Sequence, residues 1–268
     1  MAQTAKQGII SAFFDKGNSM KINFTQVLQD SWHFFRNQQK TMLQLVFMLF
    51  IVQVLSVLLT PDFMAQDAVS GGNTLSDLSQ INASDFLASF LPAQLASIFI
   101  SAWGLMTIHQ ISRHNPLTLS ANFVLTLRRF IGVIVLETVS VLPVLFGVAH
   151  IVGAALSNTA PSIAALLMIF FGIYFFIRLN LASLHYLTTQ DGIGQSLQKI
   201  WWQGRNQKTA LLIYALLVYF VAPMLILQLS VLSENLTFSV IVSLTAALIN
   251  IFTLVVTYRF YSLFMQEP

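Results

Sequence analysis

Two residues carry charge in places that should not easily hold it. Glu137 and Arg178 fall well inside long apolar runs, at about 131–150 and 162–186. An unpaired charge near the middle of a bilayer costs ~2.5–3.5 kcal/mol on insertion scales. The two runs are joined by the short turn 156–160, so they fold back on each other as an antiparallel hairpin. Glu137 then lies at a depth similar to Arg178, and an ion pair between them would offset much of the cost. One reading makes the pair a polar site or a proton or ion relay, with Asn180, His185 and Asn250 nearby. The preferred reading is structural, either as an ion pair or as an arginine reaching back to the membrane surface.

The other groups that do chemistry are sparse. There are five histidines: His33, His109, His114, His150 and His185. His109 and His114 are near one helix end without a neighbouring carboxylate, and His150 is at the opposite side. None has the spacing of a metal set, and no H-E-x-x-H, G-x-S-x-G or phosphate-binding loop is present. The acidic residues between 61 and 90 surround Gly71-Gly72 but lack the calcium-loop pattern. With no cysteine, disulfides, thiolate metal sites and thiol nucleophiles are excluded. No catalytic residue, cofactor or metal is therefore assigned, and the chain is not read as an enzyme.

The elements that hold these residues follow from composition. Of 268 residues, 56% are hydrophobic and 9% are charged, with a mean hydropathy of +0.74. Soluble domains carry about 25% charged residues. This chain lacks the polar residues to cover a core in water. A helix crossing a bilayer needs roughly 20 mostly apolar residues. Six runs qualify, at about 41–60, 91–110, 131–150, 162–186, 210–230 and 238–261. Lipid offers no partner to backbone amides, so each must be a helix. The expected fold is all-α: a polytopic membrane protein with six transmembrane helices. Pro92 and Pro161 are expected at helix starts, where a missing N–H costs nothing. Pro143 and Pro223 should kink spans three and five.

The basic residues alternate with the spans. Lys6, Lys16, Lys21, Arg36 and Lys40 precede the first. Arg113, Arg128 and Arg129 lie between the second and third, Lys199, Arg205 and Lys208 between the fourth and fifth, and Arg259 closes the sixth. The loops 61–90, 151–161 and 231–237 contain no Lys or Arg. By the positive-inside rule both termini are expected in the cytoplasm. The expected counter-charge to the basic loops is anionic lipid headgroups, not nucleic acid, because three bases per loop is an ordinary topogenic level.

Two stretches between the spans are amphipathic. In 22–36 the residues Phe24, Val27, Leu28, Ser31 and Phe35 share a helical face, and in 192–204 so do Ile193, Leu197, Ile200 and Trp201. Segment 117–130 is similar and more apolar. Each can lie in the headgroup plane or pack on neighbouring spans. The string Arg36-Asn37-Gln38-Gln39-Lys40-Thr41 is echoed by Arg205-Asn206-Gln207-Lys208-Thr209, with Trp32 and Trp201-Trp202 upstream. This suggests three repeats, each a surface helix followed by a membrane hairpin.

From Met20 the chain reads Met-Lys-Ile-Asn-Phe-Thr-Gln-Val-Leu-Gln-Asp-Ser-Trp-His-Phe-Phe-Arg-Asn-Gln, ending at Gln38. This string resembles the opening of the YciC family of bacterial inner-membrane proteins. Gln190-Asp191-x-x-Gly194 and Arg259-Phe260-Tyr261 match the family more weakly. The resemblance covers residues 20–268 and omits Glu137 and Arg178. It implies a multi-span inner-membrane location and no particular activity. It also implies that residues 1–19 are an N-terminal extension, expected to be disordered, before a six-span domain at 20–268. Two functions fit these readings. One is a structural or partner- and lipid-binding protein of the cell envelope. The other is a small-solute or lipid transporter or channel built from the hairpin repeats.

Overall fold

The computed structural model describes residues 22–59, 83–115, 117–157, 159–205, 207–231 and 236–266. The expected extension 1–19 and most of the acidic loop 61–90 lie outside them. Ten α-helices run through the described residues: α1 Phe24–Asn37, α2 Gln39–Leu59, α3 Ala83–Ser112, α4 Leu119–Leu156, α5 Ile163–Leu179, α6 Ala182–Thr188, α7 Ile193–Gln203, α8 Lys208–Leu216, α9 Ala222–Val231 and α10 Leu236–Phe264. A π-helical turn, Leu217–Val221, joins α8 to α9. No strand occurs among the described residues.

Five helical stretches are long and apolar enough to cross a membrane: Leu91–Ser112, Leu119–Leu156, Ile163–Thr188, Lys208–Val231 and Phe238–Phe264. A sixth arises if α1 and α2, which meet at 93°, count as one broken span. These match the six expected runs. Side-chain placement fits lipid as the solvent. Ile131, Ile163, Phe170 and Leu227 are more than half exposed, whereas Asn122, Thr126, Ser140 and His185 are buried. Polar groups that lipid cannot satisfy therefore turn inward, where several find partners. Asn122 Nδ2 donates to Thr107 Oγ1 across α3 and α4 at 3.4 Å, and Trp103 Nε1 donates to the Leu119 carbonyl at 3.0 Å.

α10 is the hub of one half of the bundle, packing against α1, α2, α3 and α9. Its faces carry aromatic stacks: Phe24 on Phe260 at 5.7 Å, and Tyr214 on Phe260 at 4.4 Å and 3° between planes. The other half is the α4–α5 hairpin. On α4 the buried positions Val133, Ser140 and Gly147 recur every seven residues, as do Ala165, Gly172 and Leu179 on α5. A seven-residue repeat keeps one seam facing its partner over many turns.

Several boundaries differ from the sequence expectation. Segment 117–130 is not a separate surface helix but the first turns of α4, with Thr118 as N-cap. Nothing between Thr118 and Pro143 breaks a helix, so the ladder continues past Arg128 and Arg129. Pro92 lies inside α3, not at its start, and Pro161 lies just outside α5, which is capped by Ser162. The expected kink at Pro223 takes the form of the π-turn. Proline has no N–H for the Tyr219 carbonyl, and its ring crowds that oxygen, so the preceding turn widens. The run 162–186 is broken at Asn180-Leu181 into α5 and α6.

α1 and α7 form as expected, and both pack inward. α1 begins at Asn23, whose side chain accepts from Thr25 N and Gln26 N. It buries Val27, Ser31 and Phe34, and Trp32 and Phe35 meet Phe252 of α10 edge to face. α7 buries Ser196 and Ile200. The echoed strings at Arg36 and Arg205 occupy equivalent places, each between a short amphipathic helix and a span.

Candidate functional site at the basic end of the bundle

Arg113, Arg129, Lys199 and Arg259 all belong to one end of the bundle, and the polar chemistry of the chain collects there. Its centre is His185, on the short helix α6. Its ring is buried, with Nε2 2.8 Å from Asp191 Oδ2 and Nδ1 2.8 Å from Tyr261 Oη of α10. A carboxylate only accepts, so Nε2 carries a proton directed at Asp191. In the neutral ring Nδ1 is then an acceptor, and the Tyr261 hydroxyl donates to it. Thr188 Oγ1 lies 3.3 Å from the same Tyr261 oxygen. Asp191 is held from the other side by Lys199 Nζ at 2.7 Å. The hydrogen bonds from Lys199 and then His185 keep the Asp191 carboxyl below its ordinary range.

Local structure places these groups. α6 ends at Thr189, whose hydroxyl donates to the His185 carbonyl at 2.7 Å and accepts from Asp191 N at 3.4 Å. The chain then restarts as α7, whose second turn carries Lys199. The Gln195 side chain accepts from Gly192 N at 3.2 Å and closes the first turn of α7. From α4, the Arg129 guanidinium donates to the carbonyls of Tyr186 and Thr189 and lies 5.0 Å above the Tyr186 ring. Gly132, one turn on, leaves room for that ring: a Cβ there would stand 2.5 Å from it.

Beside this network is a cavity of about 470 Å³ lined by His109, Arg113, Thr188, Tyr258, Arg259 and Tyr261, among others. His109 Nδ1 is 3.2 Å from Tyr258 Oη. The Arg259 guanidinium lies 5.0 Å from the Phe34 ring, and its buried Nε has no hydrogen-bond partner. A second cavity, of about 610 Å³, opens at the other end around His150 and Ser157. A third, of about 460 Å³, is an apolar groove between α1, the π-turn and α10.

Sequence reasoning about Glu137 and Arg178 is corrected here. The two, both among the described residues, form no ion pair with each other. Glu137 Oε1 accepts from Ser183 Oγ at 2.6 Å. Arg178 is buried with Nε and Nη1 unpartnered, its guanidinium 5.0 Å from the Trp201 ring and 5.8 Å from that of Tyr174. The expected depth is right, since Gly172 of α5 packs on Pro143 and Val144 of α4. The azimuth is what differs. Leu179 continues the seam toward α4, and Arg178, one residue earlier, is turned about 100° away. It settles on aromatic faces instead, which attract a cation through the ring quadrupole. Of the groups expected near the pair, Asn180 is buried at the α5–α6 break with neither side-chain atom partnered.

The site itself was not assembled from the sequence. Its residues were visible only singly, as His109 and His185 among the histidines. Four others lie in the strings that carry the family resemblance: Phe34 in the first, Asp191 in the second, and Arg259 with Tyr261 in the third. The fold brings all three strings to this one end.

Fold and site define an all-helical, multi-pass membrane protein with a polar cluster at one end. The chain is 50% identical, over 248 residues, to an uncharacterised protein of Haemophilus influenzae; the match covers 92% of this chain and all of the relative. It belongs to the family of that protein. No family model and no solved structure matches.

Proposed function

We propose that the chain is a bacterial inner-membrane protein, with both termini in the cytoplasm, that binds anionic lipid or a protein partner through its basic end. It does so without catalysis and without conducting a solute. One observation carries this reading. The polar cavity beside His185 and the one around His150 open at opposite ends, and among the described residues the core between the ends is packed with Met42, Leu45, Leu49, Ile100, Ala247 and Ile251. A transporter needs a polar path reaching the middle of the membrane. Here those packed apolar side chains lie beyond the cavity, and the half-buried Glu137 and buried Arg178 of the α4–α5 half line none of the three cavities described.

The location rests on charge and resemblance. Basic residues alternate with the spans while 61–90, 151–161 and 231–237 have none. The string at Met20–Gln38 is similar to the opening of the YciC family. Exposed Arg36, Lys40, Arg128 and Arg205 at the basic end favour anionic headgroups over nucleic acid as the counter-charge. Native mass spectrometry of the purified protein tests the reading. Phosphatidylglycerol or cardiolipin, or a defined protein, should remain bound well above its share of the membrane. Folded protein that retains neither, yet makes liposomes permeable to a solute, contradicts it.

A further inference from the structure

The cavity beside His185 has a composition that identifies its ligand by charge. Two arginines, Arg113 and Arg259, face it, together with hydroxyls from Ser112, Thr188, Tyr258 and Ser262, and no carboxylate among the described residues lines it. The nearest described carboxylate, Asp191, is engaged by His185 and Lys199. Arg259 is unusual among these groups. Its guanidinium lies 5.0 Å from the Phe34 ring, and its Nε is buried without a partner. A buried N–H of a cation left unpaired is costly, and the natural remedy is an anion with several acceptor oxygens. Arginine suits phosphate because its planar donor fork matches two phosphate oxygens at once. The Ser112 and Tyr258 hydroxyls can donate to the remaining oxygens, whereas Thr188 and Ser262 already donate to the Leu184 and Arg259 carbonyls.

We propose that this cavity is a binding site for a phosphate group, with Arg259 and Arg113 supplying charge and the Ser112 and Tyr258 hydroxyls completing the hydrogen bonds. The proposal rests on the lipid-binding reading above but narrows it to one place. The phosphate can belong to a membrane lipid, because the cavity lies at the end of α3 and α10 where headgroups would run. It can equally belong to a soluble phosphate compound. At about 470 Å³ the cavity holds a headgroup-sized ligand but not a whole lipid.

The His185 network explains why the cavity keeps its shape. Tyr261 is tied to α6 through His185, Tyr258 to α3 through His109, and Arg259 to α1 through Phe34. Three elements are thus pinned to the last turns of α10, and the hydroxyls point from a fixed frame. Preorganised donors lose little entropy when a ligand arrives.

The test uses the full chain in detergent with two probes, inorganic phosphate and dioctanoyl phosphatidylglycerol, each titrated by calorimetry. Arg113→Gln and Arg259→Gln are compared with His150→Gln, an exposed residue at the opposite end of the bundle and outside the cavity. Each cavity variant should weaken binding about tenfold, as expected for loss of one charge-assisted contact. His150→Gln should leave it unchanged. Arg113 is exposed, so its variant stays informative if Arg259→Gln fails to fold. If phosphatidylglycerol alone shows the Arg113 effect, the ligand is a lipid; if inorganic phosphate shows it, the site accepts soluble phosphate. Equal binding to wild type and Arg113→Gln overturns the cavity assignment while leaving lipid binding elsewhere intact. Binding of neither probe by the wild type overturns the cavity assignment and removes the support for lipid binding.

Discussion

Replacing Gly172 with valine is expected to abolish accumulation of folded protein. Gly172 is the point at which α5 rides on the backbone of α4. A Cβ there would stand 2.6 Å from Val144 N and 2.9 Å from the Pro143 carbonyl carbon. Backbone cannot swing aside as a side chain can, so the helices must separate. The same seam has a glycine on the facing helix: a Cβ on Gly147 would meet Ile169 N at 3.0 Å. Small residues matter here because helices in lipid associate through close packing, without a hydrophobic drive to pull them together. Overpacking typically costs 1–3 kcal/mol, and a backbone clash should lie at or above about 3 kcal/mol. Fluorescence-detected size exclusion of tagged protein reads the outcome. Gly172→Val should give aggregate or no peak, whereas Gly153→Val, where a Cβ meets nothing within 4 Å, should elute as wild type. A wild-type profile for Gly172→Val would mean that the α4–α5 seam is misplaced.

His185→Ala is the second large effect. The change removes both hydrogen bonds of the ring and leaves a void beside the buried Tyr261, whose ring centroid lies 6.0 Å from that of His185. It also strands the Tyr261 hydroxyl, one side of which had been bonded to Nδ1. The cavity and the orphaned hydroxyl together should cost about 3 kcal/mol. A thermal melt in detergent should show the loss. The coupling is more diagnostic than the size. Since His185 and Tyr261 bond to each other, Tyr261→Phe added to His185→Ala should cost less than it does alone, with an interaction of about 1 kcal/mol or more. Strict additivity would mean the two side chains do not meet.

Much of the fold is legible in the sequence because lipid imposes a coarse rule. Runs of apolar residues of the right length must be helices, and their positions are readable to within a few residues, except that α3 and α4 begin two to three turns before the expected starts. The amphipathic faces of α1 and α7 were readable for a similar reason, since a helical period repeats every few residues. What was not legible depends on direction around a helix or on contact between distant segments. Glu137 and Arg178 share a depth, which the hairpin turn fixes, but not a face, which depends on where the seam of α5 runs. The break at Asn180-Leu181 has no proline or glycine to announce it. His185 and Tyr261 are separated by 76 residues, so their pairing is a property of the packed bundle and not of any local pattern. The three strings around Phe34, Asp191 and Tyr261 stood out one at a time. Their common destination emerged only when α10 was seen to run past α1 and α6.

The proposed binding face requires one orientation, with the basic end and its polar cavity toward the cytoplasm and the acidic loop after α2 outward. The chain has no cysteine, so a single introduced thiol reports its side of the membrane without background. In intact inner-membrane spheroplasts, Leu78→Cys should react with a membrane-impermeant maleimide, and Gln198→Cys on α7 should react only after permeabilisation. The reverse pattern, with Gln198→Cys labelled from outside and Leu78→Cys protected, would contradict the orientation and the binding face built on it.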